Sequence, residues 1–571
     1  MMHHREHGYL LVTALLAVAM LTLVVTAYMF TSLNSPRTSR ANADSLAGFL
    51  AAEGGLNVRA AQIRTRFVNF ERPAGTSVTS PGSCAGGGGD FQCLTYPIGT
   101  RQVLTYVYET TKKNASGAVV ESGTVAPGET YAGLSFQQYA YRVVSSARRN
   151  NQTEANVEME FQSRLVPLFQ FAAFYTEDLE INPGPAMTLN GRVHTNKDLY
   201  LSPGTSLAIT GQTTAGGDIR RVRKDSGGCN GGSVTFAGKA APPCYTNPVT
   251  QAQAATYGGQ VKIHQSALAV PGLDSLAPDR AGTGSSEMWT KADVRVVWNT
   301  TTNRPSVQRA DGSVDVAATS ALQGCGAVTT STSFFDSREK RTIRMMDVNQ
   351  AKLMDCIQSS GKFTAHDGQV LTMNDTSGGG LALHFSFNPD GGATNTYGVR
   401  MQNGAKLGPP GGPAPRGLAV TTDQPLYVQG DYNSVASVPA SLLGDTINVL
   451  SGAWKDGMKT ASNNMAPVAT PTTIRAAFLG GTDTTAAGNY NGGLENYPRF
   501  HENWNGVPFT YVGSFVSLGE PKKAQGDWKN AVYSPPNRIW SYDTQFNTAD
   551  KLPPLTPRFV YLRQLFFARD Y

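Results

Sequence analysis

The chain has 571 residues, of which 40% are apolar and 9% aromatic, so it can bury a large core and is not globally disordered. Glycine (60) and proline (32) are abundant while charged residues make up only 16%, a composition that favours turns and short strands over helices. The net charge of +6 is too small to indicate a nucleic-acid partner by itself.

An uncharged, mostly apolar run extends from Gly8 to Phe30. As a helix, about 22 residues span about 33 Å, which matches a bilayer core of about 30 Å. Three interpretations fit this run: a secretory signal peptide with Val25-Thr26-Ala27 as its cleavage site, a plain signal anchor, and a class III signal that prepilin peptidase cuts after Gly8.

The residues after the apolar run favour the third interpretation. Beyond Pro36, apolar residues recur with a seven-residue rhythm, at Leu46, Phe49, Leu56, Ala60, Ile63 and Phe67. We therefore expect one long helix from Tyr9 to about Phe67, apolar in its first half and amphipathic in its second. A cleaved signal peptide has no reason to continue as the same helix.

Gly8 followed by YLLVTALLAVAML, and the later SLAGFLAAEGGLNVRAA, resemble the N-terminal region of PilX-like minor type IV pilins. The segment from Ser333 to Ile357 and the C-terminal stretch from Gly492 resemble large members of this group, in particular the ComZ-type minor pilins of DNA-uptake systems.

This resemblance implies that prepilin peptidase cuts between Gly8 and Tyr9. The mature chain would wait in the inner membrane, with its bulk outside the cytoplasm, and then assemble with other pilin subunits into a surface pilus. The sequence departs from the pilin pattern at Thr13, where the family has a glutamate that neutralises the terminal amine of a neighbouring subunit. A subunit at the filament tip tolerates that loss most easily.

Residues 71–175 predict a pilin-like β head. Three segments alternate between apolar and polar side chains as half-buried strands do, namely Leu104 to Thr110, Tyr139 to Ser146 and Val157 to Val166. A small sheet packed on the second half of the helix is the structure that we expect.

A nine-residue repeat follows. VHTNKDLYL, Val193 to Leu201, matches VTTDQPLYV, Val420 to Val428. Such copies favour neighbouring coils of a parallel β-solenoid over an ordinary sandwich. We therefore predict solenoid-like repeats at 176–215 and 416–455, an inserted lobe at 216–415, and a C-terminal β region at 456–571 that completes the head, all after a leader at 1–8 and a helix at 9–70.

The six cysteines occur as neighbouring pairs in sequence. Separations of 9, 15 and 31 residues, together with the absence of zinc spacing, favour three local disulfides in an oxidising compartment over free buried thiols. The pairs are Cys84 with Cys93, Cys229 with Cys244, and Cys325 with Cys356.

Catalytic signatures are incomplete. His501-Glu502 begins an HExxH-like string, but residue 505 is Asn where the second zinc ligand is required. Asp423 and Asp431 are of the residue type with which solenoid enzymes cut polysaccharides, yet isolated turn carboxylates are usually Asx caps. His194 stands in the repeat, where a stacked structural role is expected. We predict no enzyme activity, no cofactor and no metal site.

Two basic runs lie in or beside the predicted lobe. Four cations close together fit non-specific, salt-sensitive contacts to the phosphates of double-stranded DNA, although a solvated strand face gives the same pattern. The residues are Arg220, Arg221, Arg223 and Lys224 in the first run, and Arg338, Lys340, Arg341 and Arg344 in the second.

The sequence thus predicts a mainly β protein with one long N-terminal helix, a pilin-like α+β head and a β-solenoid-like domain with an inserted lobe. The expected function is that of a minor pilin at or near the pilus tip, acting in pilus assembly, adhesion or DNA uptake. The alternatives are a K-like pseudopilin of type II secretion and a membrane-anchored β-solenoid carbohydrate-active enzyme.

Overall fold

The computed structural model describes residues 7–68, 73–78, 84–111, 121–150, 152–244, 247–375, 377–391, 396–460, 467–486, 489–526, 528 and 532–570. They are mainly β structure with one long N-terminal helix. An antiparallel sheet, which we call the head sheet, packs on the second half of the helix. Most remaining strands lie between residues 171 and 542 and pair in parallel; we call this part the parallel stack.

Helix α1 runs without a break over His7–Val68. This confirms the predicted helix, and Pro36 lies inside it. The segment Leu11–Phe30 is long and apolar enough to cross a membrane, and none of its residues is buried by the rest of the chain. Of the predicted leader, residues 1–6 lie outside the described part.

The head sheet begins with strands β1 (Leu94–Ile98), β2 (Arg101–Glu109), β3 (Ser122–Thr124), β4 (Ser135–Arg149) and β5 (Gln152–Pro167). Its order is β1-β2-β4-β5 followed by the last strand of the chain, with β3 beside β4, and every pairing is antiparallel. The three strands predicted in this region are confirmed: β4 and β5 contain two of them, and β2 contains the third except for Thr110.

The first strands of the parallel stack are short, because glycine and proline turns interrupt them every few residues. They are β6 (Phe171–Tyr175), β7 (Leu179–Ile181), β8 (Met187–Leu189), β9 (Arg192–Thr195), β10 (Leu199–Leu201), β11 (Ser206–Ile209), β12 (Thr213–Ala215), β13 (Ile219–Arg220), β14 (Ser233–Phe236), β15 (Lys239–Ala240) and β16 (Val261–Lys262).

The middle of the stack contains four short helices, α2 (Gln251–Ala255), α3 (Glu287–Thr290), α4 (Val316–Cys325) and α5 (Gln350–Ser360). Its strands are β17 (Val294–Asn299), β18 (Arg304–Gln308), β19 (Val328–Asp336), β20 (Arg341–Asn349), β21 (Leu381–Asn388), β22 (Tyr397–Gly404), β23 (Leu418–Thr422), β24 (Leu426–Tyr432), β25 (Ala440–Leu443) and β26 (Ile447–Leu450).

The remaining strands are β27 (Thr472–Arg475), β28 (Ala477–Gly480), β29 (Arg499–Phe500), β30 (Pro508–Gly513), β31 (Phe515–Ser517), β32 (Asn537–Tyr542) and β33 (Arg558–Asp570). Strand β33 returns to the head sheet and pairs with β5.

The largest sheet of the stack has eleven strands in the order β16-β12-β9-β6-β31-β28-β25-β23-β21-β17-β18, and only β17 with β18 is antiparallel. A second sheet of nine strands contains β20, β22, β24, β27, β30 and β32 in parallel. Apolar side chains of the two sheets meet in one core around Trp298, Phe478 and Trp504.

A 20-residue step relates the first strands of the stack. Leu199 pairs with Leu179 on one side and with Ile219 on the other. The step also places polar groups in register, because Asp178 accepts the amide of Asp198, and Asp198 accepts the amide of Asp218. Asp198 and Leu199 therefore each lie beside a residue of the same kind 20 positions earlier in the chain.

Three predictions about the arrangement of the chain differ from the observed topology. The strands β17, β20, β21 and β22 of the predicted lobe (216–415) continue the same two sheets beside β23 and β24, so they form no separate lobe. The two copies of the nine-residue repeat lie in one sheet, but four strands separate β9 from β23. Of the C-terminal region, β33 completes the head sheet, while β27 to β32 belong to the stack.

Candidate functional site

The contact between helix α1 and the head sheet depends on small residues. On the buried face of the helix, Ala51 and Ala52 are at most 4% exposed. A Cβ added at Gly55 would lie 2.5 Å from Cγ1 of Val103, and one added at Gly48 would lie 2.8 Å from Cβ of Glu154. Only residues without a long side chain allow the helix to approach the sheet this closely.

A buried arginine also ties the helix to the head. Arg59 is 3% exposed and donates to the carbonyls of Asp90 at 2.6 Å and Gln92 at 2.7 Å. Closer to the apolar half of the helix, Arg101 of β2 pairs with Glu154 of β5 and donates to the carbonyl of Asp44 at 3.1 Å. The helix is therefore fixed to the head at both ends of their contact.

The apolar half of the helix has the opposite character. Between Leu11 and Phe30 the large side chains are exposed to an extent that soluble proteins avoid; Leu21 and Leu23, for example, are 68% and 70% exposed. This half can be buried only by lipid or by another protein. The side chains around Gly8 and Tyr9, the predicted cleavage site, lie outside the described side chains.

The six cysteines form the three disulfides that their spacing predicts: Cys84–Cys93, Cys229–Cys244 and Cys325–Cys356. The first closes the loop that Arg59 holds. The third joins helices α4 and α5.

The first basic run is neutralised within the stack. Arg220 pairs with Asp218 at 2.7 Å, Arg223 with Asp225 at 2.7 Å, and Lys224 with Asp178 at 2.7 Å. Each of these three cations therefore has its own carboxylate.

Arg221 does not reach the surface. It is 3% exposed and donates to the carbonyls of Leu201, Gly232 and Pro242. The prediction that it contacts DNA phosphates is wrong, because a buried guanidinium that holds three loop carbonyls is a structural tie.

The second basic run is divided between core and surface. Arg338 is fully buried and donates to the carbonyls of Phe500 and Trp528, each at 2.9 Å, so its predicted contact with DNA is also wrong. Arg341 pairs with Glu339 at 3.1 Å. Arg344 lies over the ring of Trp298, and Lys340 is exposed in a turn.

The remaining sequence candidates have mostly structural partners. His194 is fully buried between Thr214 and Asn196, and burial lowers its pKa to about 4, which agrees with the predicted stacked role. Glu502 accepts the amide and hydroxyl of Ser451. Asp431 accepts the amide of Thr473. Among the described residues, no three His, Cys, Asp or Glu side chains come together as a metal site.

Asp423 differs from these residues. It borders a cavity of about 290 Å³ together with Asp390, Asp445 and Lys523, and burial raises its pKa to about 6. Lys523 donates to Asp390 at 2.5 Å, and Asp445 accepts the amides of residues 522–524. Most of this cluster therefore joins the residues that follow strand β25 to the loop that follows β31.

Comparisons with known proteins give no relative: no family model, no curated protein and no solved structure matches this chain.

Proposed function

We propose that the chain is a pilin-like subunit of the minor class, anchored by its apolar helix before assembly and located at or near the tip of a type IV pilus. One observation supports this proposal above the others. A single 62-residue helix has an unburied apolar half over Leu11–Phe30, and its other half is packed on an antiparallel sheet. A membrane anchor does not need to continue as the same helix into the folded head. A filament subunit uses one helix both to anchor the chain and to support the head.

In this proposal the parallel stack is a β-solenoid-like domain that the pilin-like head carries outward. Strand β33 supports the arrangement, because the chain leaves the head after β5, builds the stack, and returns to pair with β5. The stack is thus inserted between two neighbouring strands of the head. Such a subunit acts through assembly and adhesion, with pilin subunits and the assembly machinery as partners.

Thr13 lies in the apolar half of the helix, and its hydroxyl cannot supply the charge of the glutamate found in pilins. A subunit with no other subunit beyond it has less need of that charge, which is the basis for the tip position.

Leader processing tests the proposal. Gly8→Val places a branched side chain at the residue that prepilin peptidase must accept, so the variant should keep its leader and stay in the inner membrane. Leu11→Val is the control, because it introduces the same side chain three residues after Gly8 and leaves the cleavage site unchanged. This variant should be processed. Normal processing and surface assembly of Gly8→Val would rule out the class III signal.

A further inference from the structure

A cavity of about 280 Å³ lies on the parallel stack, away from the helix and the head sheet. Strands β17 and β18, the start of helix α4 and residues 363–366 surround it. Its lining combines apolar side chains, among them Val307 and Phe363, with charged ones. A cavity of this size and mixed lining fits a small organic molecule.

Arg295 provides a buried positive charge beside this cavity. The residue is 5% exposed, and its recorded hydrogen bonds go to the carbonyls of Trp289 at 2.6 Å and Thr290 at 2.7 Å. No carboxylate of the described residues lies within 4.0 Å of its guanidinium. Burial lowers the pKa of Arg295 to about 10, with Asp293 and Asp311 opposing this shift, so the group is cationic at neutral pH.

The guanidinium of Arg295 lies over the ring of Trp289 and donates to two carbonyls, so the groups that contact it are neutral. A buried cation without a paired carboxylate is a costly arrangement in a protein interior. Its planar fork of donors matches a carboxylate. An anion that enters the cavity would supply the missing charge.

His366 provides an oriented acceptor at the same cavity. Asp293, whose side chain is 1% exposed, is held by the amide of Ala382 at 2.8 Å. Its other oxygen lies 2.9 Å from Nδ1 of His366, which places the ring proton on Nδ1 and leaves Nε2 as the acceptor. Among the described residues Nε2 has no hydrogen-bond partner, and the side chain is 27% exposed.

Further polar groups of the lining suit a ligand with hydroxyl groups. Thr290, Gln308 and Thr364 offer two hydroxyls and an amide. Arg309 adds a second cation, 58% exposed and 3.6 Å from Asp315. Two carboxylates also border the cavity, but both have partners in the fold: Asp293 is bonded to His366 and to the amide of Ala382, and Asp315 accepts the amide of Ala318. Arg295 therefore offers positive charge for one end of a ligand, and the hydroxyl and amide groups offer hydrogen bonds for the rest.

We infer that this cavity binds a small hydroxylated carboxylate, of the class to which the uronic acids belong. Arg295 takes the carboxylate, and Nε2 of His366 accepts a hydrogen bond from a ligand hydroxyl. The inference does not depend on pilus assembly, because every group involved belongs to the parallel stack. It gives the stack a ligand of its own.

Calorimetric titration of the full chain in detergent tests this inference with three probes: D-glucuronate, D-glucose and inorganic phosphate. Glucuronate should bind at least about tenfold more tightly than glucose, which has the same ring without the carboxylate, and more tightly than phosphate, which lacks the hydroxylated ring. Binding of glucose and glucuronate with equal affinity, tighter binding of phosphate, or no binding of glucuronate would each overturn the inference.

Single-residue variants test which side chains contact the bound glucuronate. Arg295→Gln should weaken glucuronate binding about tenfold or more, because the ligand charge then loses its buried partner. His366→Gln should weaken it by a smaller factor. Arg475→Gln removes an exposed arginine elsewhere on the stack and is the control, with unchanged affinity. If Arg295→Gln does not fold, Arg309→Gln takes its place with a weaker effect. Unchanged affinity in both His366→Gln and the arginine variant would overturn the assignment.

Discussion

Gly55 of helix α1 stands so close to Val103 of strand β2 that a Cβ on the glycine would lie 2.5 Å from Cγ1 of the valine. The same Cβ would lie 3.0 Å from the hydroxyl of Ser145 on β4. Val103 and Ser145 are both fully buried, so neither side chain can turn away into solvent. This contact sets the distance between helix α1 and the head sheet.

Gly55→Ala should therefore destabilise the head. Overpacking of a close-packed site costs about 1–3 kcal/mol, which exceeds the roughly 1 kcal/mol that alanine gains over glycine in a helix. Gly54→Ala is a matched control, because its Cβ would meet only Cδ1 of Ile98 at an ordinary 3.4 Å. Thermal unfolding should show a lower midpoint for Gly55→Ala and an equal or higher one for Gly54→Ala. Equal midpoints for the two variants would contradict the close approach.

Stacking in the first part of the parallel stack leads to a second prediction. A Cβ at Gly211 would lie 2.4 Å from the carbonyl of Gly191, one 20-residue step earlier. Because the obstacle is main chain, it cannot move without separating the two strands, and Gly211→Ala should cost about 1–3 kcal/mol. Gly184→Ala meets nothing within 4 Å and should cost much less. Denaturant unfolding followed by tryptophan fluorescence measures both; similar losses would argue against the stacked register.

His194 leads to a prediction about pH. Its pKa is lowered to about 4 by burial, whereas an unfolded histidine titrates near 6.5. The unfolded chain thus binds the proton first, and the contribution of neutral His194 to stability is lost as pH falls from about 6.5 to 4, by up to about 3 kcal/mol. The raised pKa values of Asp423 and Glu495, to about 6 and about 7, act in the opposite direction over part of this range.

Because these groups titrate over the same pH range, the contribution of His194 must be measured as the difference in stability between the wild type and a variant that lacks the histidine. The difference in unfolding free energy between the wild type and His194→Gln should be larger at pH 7 than at pH 4, by about 3 kcal/mol. His264→Gln, which removes a ring whose side chain is 62% exposed, controls for loss of an imidazole. A difference for His194→Gln that does not change with pH would show that the pKa of His194 is the same in the folded and unfolded chains, and would contradict its lowering by burial.

The basic runs lead to a fourth prediction. Arg220, Arg223 and Lys224 each have a carboxylate at 2.7 Å, so phosphates would have to displace these partners. Replacing all three by alanine should change the affinity for double-stranded DNA less than about twofold in a mobility-shift assay. A tenfold loss, with binding that falls steeply between about 50 and 200 mM salt, would instead support the DNA-binding role predicted from the sequence.

The helix and the strands of the head could be predicted because their signals are local. An uncharged run of bilayer length followed by a heptad-like rhythm defines α1, and alternation of apolar residues defines β2, β4 and β5. The disulfides followed from short separations in the chain. None of these predictions needed knowledge of which distant segments meet.

The extent of the stack could not be predicted in this way. Its strands are short, and many pair with strands far away in the sequence, as β31 does with β6. Sequence similarity between two of these strands does not show where the other strands begin or which strands they pair with. A usable signal was present in the 20-residue step, since Asp178-Leu179, Asp198-Leu199 and Asp218-Ile219 repeat one pattern.

Burial and ion pairing of the arginines were likewise beyond the sequence. The basic runs that contain Arg221 and Arg338 predict exposed side chains. In the structure both guanidinium groups are buried and donate to backbone carbonyls. The cavity beside Arg295 joins residues of separate segments, 290–318 and 363–366, and no motif connects them.

Mass spectrometry of the protein in purified surface filaments tests whether this chain is a filament subunit. We expect the chain to be present in small amount in sheared filaments, with Tyr9 as its first residue. A chain that is absent from filaments and either keeps Met1 or begins after Ala27 would contradict this expectation.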